Sequence, residues 1–235
     1  SSGIGEELAR QLAEKGYTVG LIARRKERLV TLKQELKYKP GKVFIYAVDL
    51  ANEAECTLAY TKLRSDMGGL DGIILNAGVG RDDLKAPWES DAQTIDINIR
   101  AFAHGLHWAF AHFTEQGHGH IVGMSSIASH LASGHAPVYT ASKHFVSNYM
   151  TGFRMKANAL EIKLDITDIR PGYVVSEMTR DNPHTFWMAS TQRAVEMMIK
   201  GIEKKKKRIY ITKRWRLMAE LADSIPYFIW NRLSF

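Results

Sequence analysis

Cysteine, long apolar runs and acidic side chains are all scarce in this chain of 235 residues. The one cysteine, Cys56, excludes an internal disulfide framework and suits a reducing compartment. No apolar run approaches the roughly 18 residues that a membrane-spanning helix needs. We recognise no signal peptide in the residues from Ser1 onwards. We therefore expect a cytoplasmic protein.

The shortage of acidic residues leaves 32 Lys and Arg against 25 Asp and Glu, a formal net charge of +7. Such an excess fits nucleic acid, a membrane surface or an anionic small ligand as a partner. Much of it is local, in the run KKKKR at Lys204–Arg208, which is typical of a solvated turn beside a strand. Because no zinc-finger spacing and no basic arm interleaved with aromatic residues is present, we expect no nucleic-acid partner.

What the chain does contain is a regular alternation of strand-like and helix-like segments. The strand-like segments are Tyr17–Ala23, Lys42–Val48, Leu70–Leu75, His120–Met124, Leu164–Ile169 and Arg208–Thr212. The helix-like segments are Glu27–Lys39, Asn52–Met67, Asp91–Gln116, Val138–Leu160, Arg193–Glu203 and part of Lys213–Phe235. Apolar strands that are each followed by a helix predict an α/β fold, a doubly wound Rossmann-type parallel sheet with helices on both faces. Without an internal repeat or a linker, we expect one domain over residues 1–235, with 213–235 as a C-terminal extension.

Ser1–Gly5 form a glycine turn in front of a helix-like run. Free backbone N–H groups and the helix dipole at such a helix start bind anions such as a pyrophosphate. The alternative is an ordinary tight turn. In a doubly wound sheet the strand before this turn lies in the middle, and a sheet without it would leave two rows of backbone groups unpaired. We therefore expect a further strand and a further glycine ahead of Ser1 in the native protein.

The next strand-like segment ends at Arg24 and Arg25, about twenty residues after the glycines. In a dinucleotide-binding fold this position meets the adenosine ribose, where an acidic residue favours NAD and an arginine pairs with the 2′-phosphate of NADP. No carboxylate precedes Glu27 here, so we predict NADP(H). The alternative is that both arginines are solvated at a strand end.

Tyr139 and Lys143 are four residues apart in a predicted helix, so both lie on one helix face. A free tyrosine has a pKa of about 10. A neighbouring ammonium favours the phenolate, so we expect Lys143 to lower the pKa of Tyr139 and make it a general acid/base. Such a pair is common by chance, and its interpretation depends on the polar residues around it.

Polar residues follow the strands in a suggestive order. Asn76-Ala77-Gly78 ends one predicted strand, and Ser125-Ser126 ends the next, at the edge where ligands of parallel sheets bind. Asn98 lies in the long helix between them, where an asparagine has no propensity reason to be. In isolation, Ser126 reads equally well as a turn residue and Asn98 as an internally satisfied bend.

Together these motifs resemble the short-chain dehydrogenase/reductase (SDR) family over essentially the whole chain. The matching positions, in chain order, are Ser1 to Gly5 (with Ser2, Gly3 and Ile4) for the end of the TGxxxGxG turn, Asp49 and Leu50 for the adenine contact, Asn76, Ala77 and Gly78 for the NAG motif, Asn98, Ser126, Tyr139 and Lys143 for the catalytic tetrad, and Pro171, Gly172 and Ser176 for the PGxxxT stretch at the nicotinamide. The family spacing of about thirteen residues between serine and tyrosine selects Ser126 over Ser125.

The resemblance implies an NADP(H)-dependent oxidoreductase that interconverts a carbonyl and a secondary alcohol. Tyr139 would exchange the proton, and Ser126 would hydrogen-bond the carbonyl oxygen. Lys143 would lower the pKa of the tyrosine and hold the nicotinamide ribose, and Asn98 would hold a water that links Lys143 to solvent. Two positions depart from the family pattern: the first glycine of the turn is not in the sequence, and Ser176 stands where threonine is usual.

Several features remain open at this stage. Seven of the nine histidines lie between His104 and His135, but no ligand spacing stands out and we predict no metal. Phe186, Trp187 and Met188, in the family's substrate-lid region, either wall an apolar pocket or pack down the lid. The C-terminal tail contacts a membrane surface or packs on a subunit, and the long helices are similar to those that pair family subunits as homodimers or homotetramers. A functional alternative is a cofactor-binding sensor or scaffold that is recruited through the basic tail.

Overall fold

The structure is a computed structural model that describes residues 1–179, 185–226 and 232. The helices are α1 (Gly3–Glu14), α2 (Lys26–Glu35), α3 (Glu53–Met67), α4 (Trp88–Ile95), α5 (Phe102–Gln116), α6 (Pro137–Ala159), α7 (Thr191–Glu203) and α8 (Lys213–Ala222). The strands are β1 (Val19–Ala23), β2 (Val43–Ala47), β3 (Gly72–Leu75), β4 (His118–Met124), β5 (Lys163–Pro171) and β6 (Arg208–Ile211). A π-helical segment, Asp96–Ala101, joins α4 to α5, and a 3₁₀ turn, Ile127–His130, follows β4.

All strand pairs of the described residues are parallel. β1 pairs with β2, and a second group has the order β3-β4-β5-β6. Each strand is connected to the next through a helix, as parallel pairing requires. The carboxyl ends of β3, β4 and β5 therefore meet at one edge, which is where Asn76, Ser126 and Gly172 follow.

Helices cover both faces of the sheet because successive strand side chains point to opposite sides. Ile121 of β4 packs with the buried Phe113 of α5 and Met150 of α6. Its neighbour Val122 packs into the opposite cluster, together with Met198 of α7. Full burial of a side chain of this size contributes about 1.5–3 kcal/mol. The predicted doubly wound α/β architecture is confirmed.

The two strand groups are separated by a cavity of about 2360 Å³, which residues of both β1 and β3 line, among them Leu21 and Ile73. Among the described strands, β1 pairs only with β2, and β3 only with β4. The expectation of one more strand in this sheet concerns residues ahead of Ser1 and stays a prediction.

The prediction of one continuous helix over Asp91–Gln116 is wrong. The helix begins earlier, at Trp88, and is interrupted by the π-helical segment Asp96–Ala101 before α5 begins. A π turn inserts an extra residue, so the helical spacing of apolar residues is displaced across it. Polar contacts of Asn98 with the chain after β3 accompany this interruption, and sequence periodicity does not encode them.

Other predicted bounds differ by a few residues. The first strand begins at Val19 and not at Tyr17, because the Tyr17 N–H still donates to Leu12 O at the end of α1. The helix predicted to reach Lys39 ends at Glu35, and tight turns follow it up to Pro40. The strands β4 and β5 are longer than predicted, because ladder pairing continues beyond their apolar runs.

The basic run Lys204–Arg208 forms the turn between α7 and β6, and its side chains are exposed, as the charge pattern predicts. The C-terminal segment begins with α8, whose Trp215 packs against Ile127. The rest of the predicted extension, 227–231 and 233–235, lies outside the described residues. Among the helices within 1–179 and 185–226, none combines the length and hydropathy that crossing a bilayer requires.

Candidate active site

The loop after β4 and the first turns of α6 place Ser126, Tyr139 and Lys143 on one cavity. Pro137 opens α6, where its missing N–H costs nothing, and Tyr139 and Lys143 follow on the same helix face. Ser126 caps the 3₁₀ turn, accepting from the Ala128 N–H at 3.1 Å and donating to Pro171 O at 3.3 Å. It therefore joins the ends of β4 and β5.

Lys143 is buried, with 4% of its surface exposed. Its ammonium donates to Met124 O at 3.1 Å and lies 5.5 Å from the centre of the Tyr139 ring. Burial lowers the pKa of Lys143 to about 8, and the nearby Asp168 carboxylate opposes that fall. Lys143 therefore loses its proton near pH 8, which is close to neutral pH.

The pKa of Tyr139 runs against the expectation from sequence. Burial raises the pKa of Tyr139 above its ordinary value, and a hydrogen bond with the Ser126 side chain opposes the rise without cancelling it. The predicted lowering of the Tyr139 pKa is therefore not found, because desolvation of the phenolate outweighs the opposing contribution of Ser126. The phenol is neutral at neutral pH.

Asn98 lies behind these residues and has 1% of its surface exposed. Its side chain accepts from the Val79 N–H and donates to Val79 O, both at 2.8 Å, and also donates to Ser142 Oγ at 3.0 Å. Both amide hydrogens are thus used within the protein. That Asn98 holds a water stays a prediction. Because both amide hydrogens are occupied, such a water would have to donate to an oxygen of Asn98.

Sequence reasoning missed a buried ion pair beneath Lys143. Asp168 and Arg170 are completely or almost completely buried, and Arg170 Nε donates to Asp168 Oδ2 at 2.8 Å. Ser125 and Ser147 also donate to the Asp168 carboxylate. Opposite charges two residues apart in an apolar strand share one strand face, and that pattern was the available signal.

The ion pair continues towards the surface through the Arg170 guanidinium. It contacts Tyr210 Oη at 2.9 Å and the ring of His130, whose Nδ1 lies 2.9 Å from the Asp223 carboxylate after α8. Ser125, rejected as the catalytic serine by spacing, has a separate task here, since it connects the end of β4 to Asp168. The network ties α8 to the floor of the site.

The glycine turn meets the two other predicted cofactor motifs. Gly3 has φ +53°, a conformation that favours glycine, and a Cβ built on it would lie 3.4 Å from Ser176 Cβ. A Cβ on Gly5 would lie 2.6 Å from Asn76 Nδ2, so the Asn76 amide would have to move. The helix start, the NAG segment and the stretch after Gly172 therefore converge.

The predicted ribose-end residues are mostly exposed. Arg25 Nη2 donates to Ser2 Oγ at 2.7 Å, so this guanidinium lies directly at the glycine turn. Arg24 lies 3.8 Å from the Asp49 carboxylate. Glu177, two residues beyond the loop residue Val175, pairs with Arg25 at 3.4 Å and with Arg28 at 2.7 Å, and neither Glu177 nor Arg28 was singled out from the sequence. Leu50 instead packs into a small apolar cluster with Val48.

Every residue of the predicted site lines the same cavity except Asn98, which lies behind its wall. The residues shared by prediction and cavity are Ser2, Gly3, Ile4, Gly5, Arg24, Arg25, Asp49, Leu50, Asn76, Ala77, Gly78, Ser126, Tyr139, Lys143, Pro171, Gly172 and Ser176. In the described part of the chain, no three His, Cys, Asp or Glu side chains are grouped so that they could hold a metal ion.

A doubly wound parallel sheet with a glycine turn, and a Ser, Tyr and Lys group at its carboxyl edge, defines the class of nucleotide-binding α/β oxidoreductases. The sequence profile described as short chain dehydrogenase matches residues 1–186. The chain belongs to this short-chain dehydrogenase/reductase family.

Individual relatives agree with the assignment. An uncharacterized oxidoreductase of Myxococcus xanthus is 37% identical over 86% of this chain and 80% of its own length. A short-chain dehydrogenase from Sphingobium yanoikuyae, solved in complex with NADPH, superposes with a TM-score of 0.82 at 21% identity, covering 96% of this chain and 93% of its own. One from Burkholderia phymatum, in complex with NAD, has a TM-score of 0.82 at 18% identity, covering 94% and 89%. These two structures share the fold and differ in cofactor.

Proposed function

We propose that this oxidoreductase interconverts a carbonyl and a secondary alcohol with NADP(H), and that Tyr139 is its general acid/base. The observation that carries the proposal is that Ser126, Tyr139 and Lys143 line one cavity, with the buried Lys143 ammonium 5.5 Å from the centre of the Tyr139 ring. The hydroxyls of Ser126 and Tyr139 together offer a carbonyl oxygen two donors.

The residues present fit a nicotinamide dinucleotide. The start of α1 offers backbone N–H groups that have no partner within the helix, and Gly5, which has no Cβ, lets the helix start lie against the Asn76 amide. Ser2–Gly5 would hold the pyrophosphate, Ser176 the carboxamide, and Lys143 the nicotinamide ribose. When bound, the cofactor supplies or accepts the hydride at the substrate carbon.

In the reductive direction Tyr139 donates its phenolic proton to the carbonyl oxygen, and Ser126 hydrogen-bonds that oxygen. The raised pKa of Tyr139 keeps the phenol protonated at neutral pH, which is the form this step needs. In the oxidative direction Tyr139 accepts the proton from the alcohol. The Ser126 hydrogen bond and the Lys143 charge then stabilise the phenolate.

The preference for NADP(H) is supported by the charge at the end of β1. Arg25 reaches the glycine turn, and Arg28 lies on the same side, one helical turn further along α2. Guanidinium groups bind a phosphate in bidentate fashion, whereas a ribose 2′-hydroxyl would call for a carboxylate. Asp49, the acidic residue of the predicted cofactor site, lies 3.8 Å from the Arg24 guanidinium.

The test is Tyr139→Phe in the full-length protein, assayed for NADPH-dependent reduction of a panel of ketones. We expect kcat to fall by roughly 10²–10⁴-fold, because a general acid is lost, while the Kd for NADPH changes less than about threefold. The matched control is Tyr149→Phe on the same helix, whose hydroxyl contacts His107 away from the site. Retained turnover in Tyr139→Phe would overturn the assignment of the acid.

The remaining sequence predictions are part of the same proposal. The chain works as one domain over 1–235, assembles as a homodimer or homotetramer, and acts in the cytoplasm on a small carbonyl or alcohol substrate. The packing of α8 on the loop after β4 supports a C-terminal segment that contacts its own subunit.

A further inference from the structure

Exposed apolar side chains line the same cavity as Ser126 and Tyr139. Met178, Phe186, Met218 and Leu221 all line the cavity and all keep more than a third of their surface exposed. Large apolar groups that remain exposed inside a cleft mark a ligand-binding surface more often than chance placement. The question is what this surface binds.

Beneath these exposed side chains lies Trp215, which is 3% exposed and joins α8 to the rest of the protein. Trp215 packs against Ile127 below it, and its ring lies 5.7 Å from the ring of Tyr173 and 5.2 Å from that of Phe186. These contacts dock α8 on the loops that follow β4 and β5. Of the three residues left open in the sequence, Phe186 lines the cavity, while Trp187 packs on Trp215 at 5.7 Å.

Three large side chains of α8 line the cavity, Trp215, Met218 and Leu221. They follow one another at intervals of three residues, so each is a neighbour of the next along the helix surface. Leu217, one helical turn before Leu221, does not line the cavity, although it is exposed to nearly the same extent as Leu221, at 62% against 55%.

This apolar wall is continuous with the proposed catalytic group. Ile127 directly follows Ser126, and Tyr173 directly follows Gly172. The cavity lining also contains a polar pair, with His135 Nδ1 3.4 Å from the Asp82 carboxylate. A substrate whose carbonyl meets Ser126 and Tyr139 would turn an apolar group towards the apolar side chains of α8.

We propose that the substrate is a ketone or secondary alcohol that carries a large apolar group, which Met218 and Leu221 contact on the helix that Trp215 anchors. This inference rests on the proposed function and adds the substrate class to it. The apolar group contributes through burial, so its effect appears in KM and in kcat/KM more than in kcat.

The experiment compares 2-butanone with 2-decanone as substrates for NADPH-dependent reduction by the full-length protein. Burying a methylene contributes roughly a factor of four, so partial burial of six predicts that 2-decanone exceeds 2-butanone in kcat/KM by about 30-fold or more. Leu221→Asp should lower kcat/KM for 2-decanone about tenfold through KM, and change the value for 2-butanone less than about twofold. Leu217→Asp, the matched control, should change neither. Met218→Gln repeats the test with an uncharged side chain.

A second readout does not depend on turnover. Binding of 2-decanol to the protein, followed by tryptophan fluorescence, should weaken in Leu221→Asp and not in Leu217→Asp. If both ketones are reduced with equal kcat/KM, or if the two aspartate variants behave alike, the substrate class is overturned. If neither ketone is reduced and Tyr139→Phe has no effect, the proposed function fails, whatever 2-decanol binding shows.

Discussion

The two ends of the cavity are built from different kinds of polar contact. At the end formed by β4, β5 and α6, Lys143, Asn98 and Asp168 are almost fully buried and bonded to fixed partners. At the end formed by β1 and α2, Arg24 is 66% exposed and long side chains meet in pairs that face solvent. The buried contacts fix the side chains of the first end in one arrangement, whereas the exposed pairs of the second end can rearrange around a ligand.

The difference follows from the cost of burying charge. A charged group removed from water must be paired and hydrogen-bonded, so each buried member holds its neighbours in place. Exposed pairs are screened and contribute little, typically about 0–1 kcal/mol. We therefore expect substitutions at the buried end to change stability and chemistry together, and substitutions at the exposed end to change only ligand affinity.

The largest effect is expected for Asp168→Asn, which leaves the buried Arg170 without its counter-charge. Breaking such a pair costs about 3–5 kcal/mol in the free energy of unfolding, measured by urea denaturation. The control on the same strand is Asp165→Asn, whose partner Lys205 is exposed, and its cost should stay below about 1 kcal/mol. Equal costs for the two variants would remove the contrast between the buried and exposed ends.

A pH effect comes next, because the pKa of Lys143 is lowered to about 8. Between about pH 8 and 10.5 the unfolded chain still binds the proton that native Lys143 has lost, so the free energy of unfolding gains a positive contribution as pH rises. Urea denaturation at pH 7.5 and pH 9.5 should therefore show this gain relative to Lys143→Met. The opposite sign would mean that the folded protein favours the ammonium.

The ionisation of Lys143 also predicts how the activity depends on pH. Activity that depends on the Lys143 charge should decline as pH rises through about 8. Loss of the Asp168 charge removes a group that raises the pKa of Lys143, so any folded Asp168→Asn should decline at lower pH than the parent protein. An unchanged pH profile would separate Asp168 from the function of the lysine.

A smaller effect, on affinity alone, is expected at the exposed end for Arg25→Ala. Loss of one charge-assisted contact to a 2′-phosphate should weaken NADPH binding about tenfold and leave NADH binding within about twofold. Titration of both cofactors measures it, with Arg193→Ala as the control for an exposed arginine in a local ion pair. Equal weakening of NADPH and NADH would refute a phosphate-specific role for Arg25.

The smallest effect is expected for Glu177→Gln. The arginines that it pairs with, Arg28 above all, lower the pKa of Glu177, so it is ionised at neutral pH and competes with a phosphate for the same guanidinium groups. Its removal should tighten NADPH binding about twofold to fourfold, and the gain should shrink at high salt. Glu196→Gln, which disturbs a comparable exposed pair, should leave the affinity unchanged. Weaker NADPH binding would instead give Glu177 a supporting role.

Much of the fold could be predicted because apolar strands and amphipathic helices are local patterns. Strand and helix alternation alone predicts the parallel sheet, and the side-chain alternation of Ile121 and Val122 predicts its two covered faces. The family motifs also predict that Ser126, Tyr139 and Lys143 lie together, and all three line one cavity. In these cases the information lies within a few neighbouring residues.

What only the tertiary structure decided depends on groups that are distant in the chain. The pairing of Asn98 with Val79 accompanies the π-helical segment, and the docking of Trp215 on Ile127 turns Met218 and Leu221 towards the cavity. The direction of the Tyr139 pKa is of the same kind. Local spacing predicts an attraction to Lys143, but desolvation depends on everything packed around the ring, so the pKa rises. Sequence determined which groups are available, and packing determined their charge and their partners, because burial is a property of the whole fold.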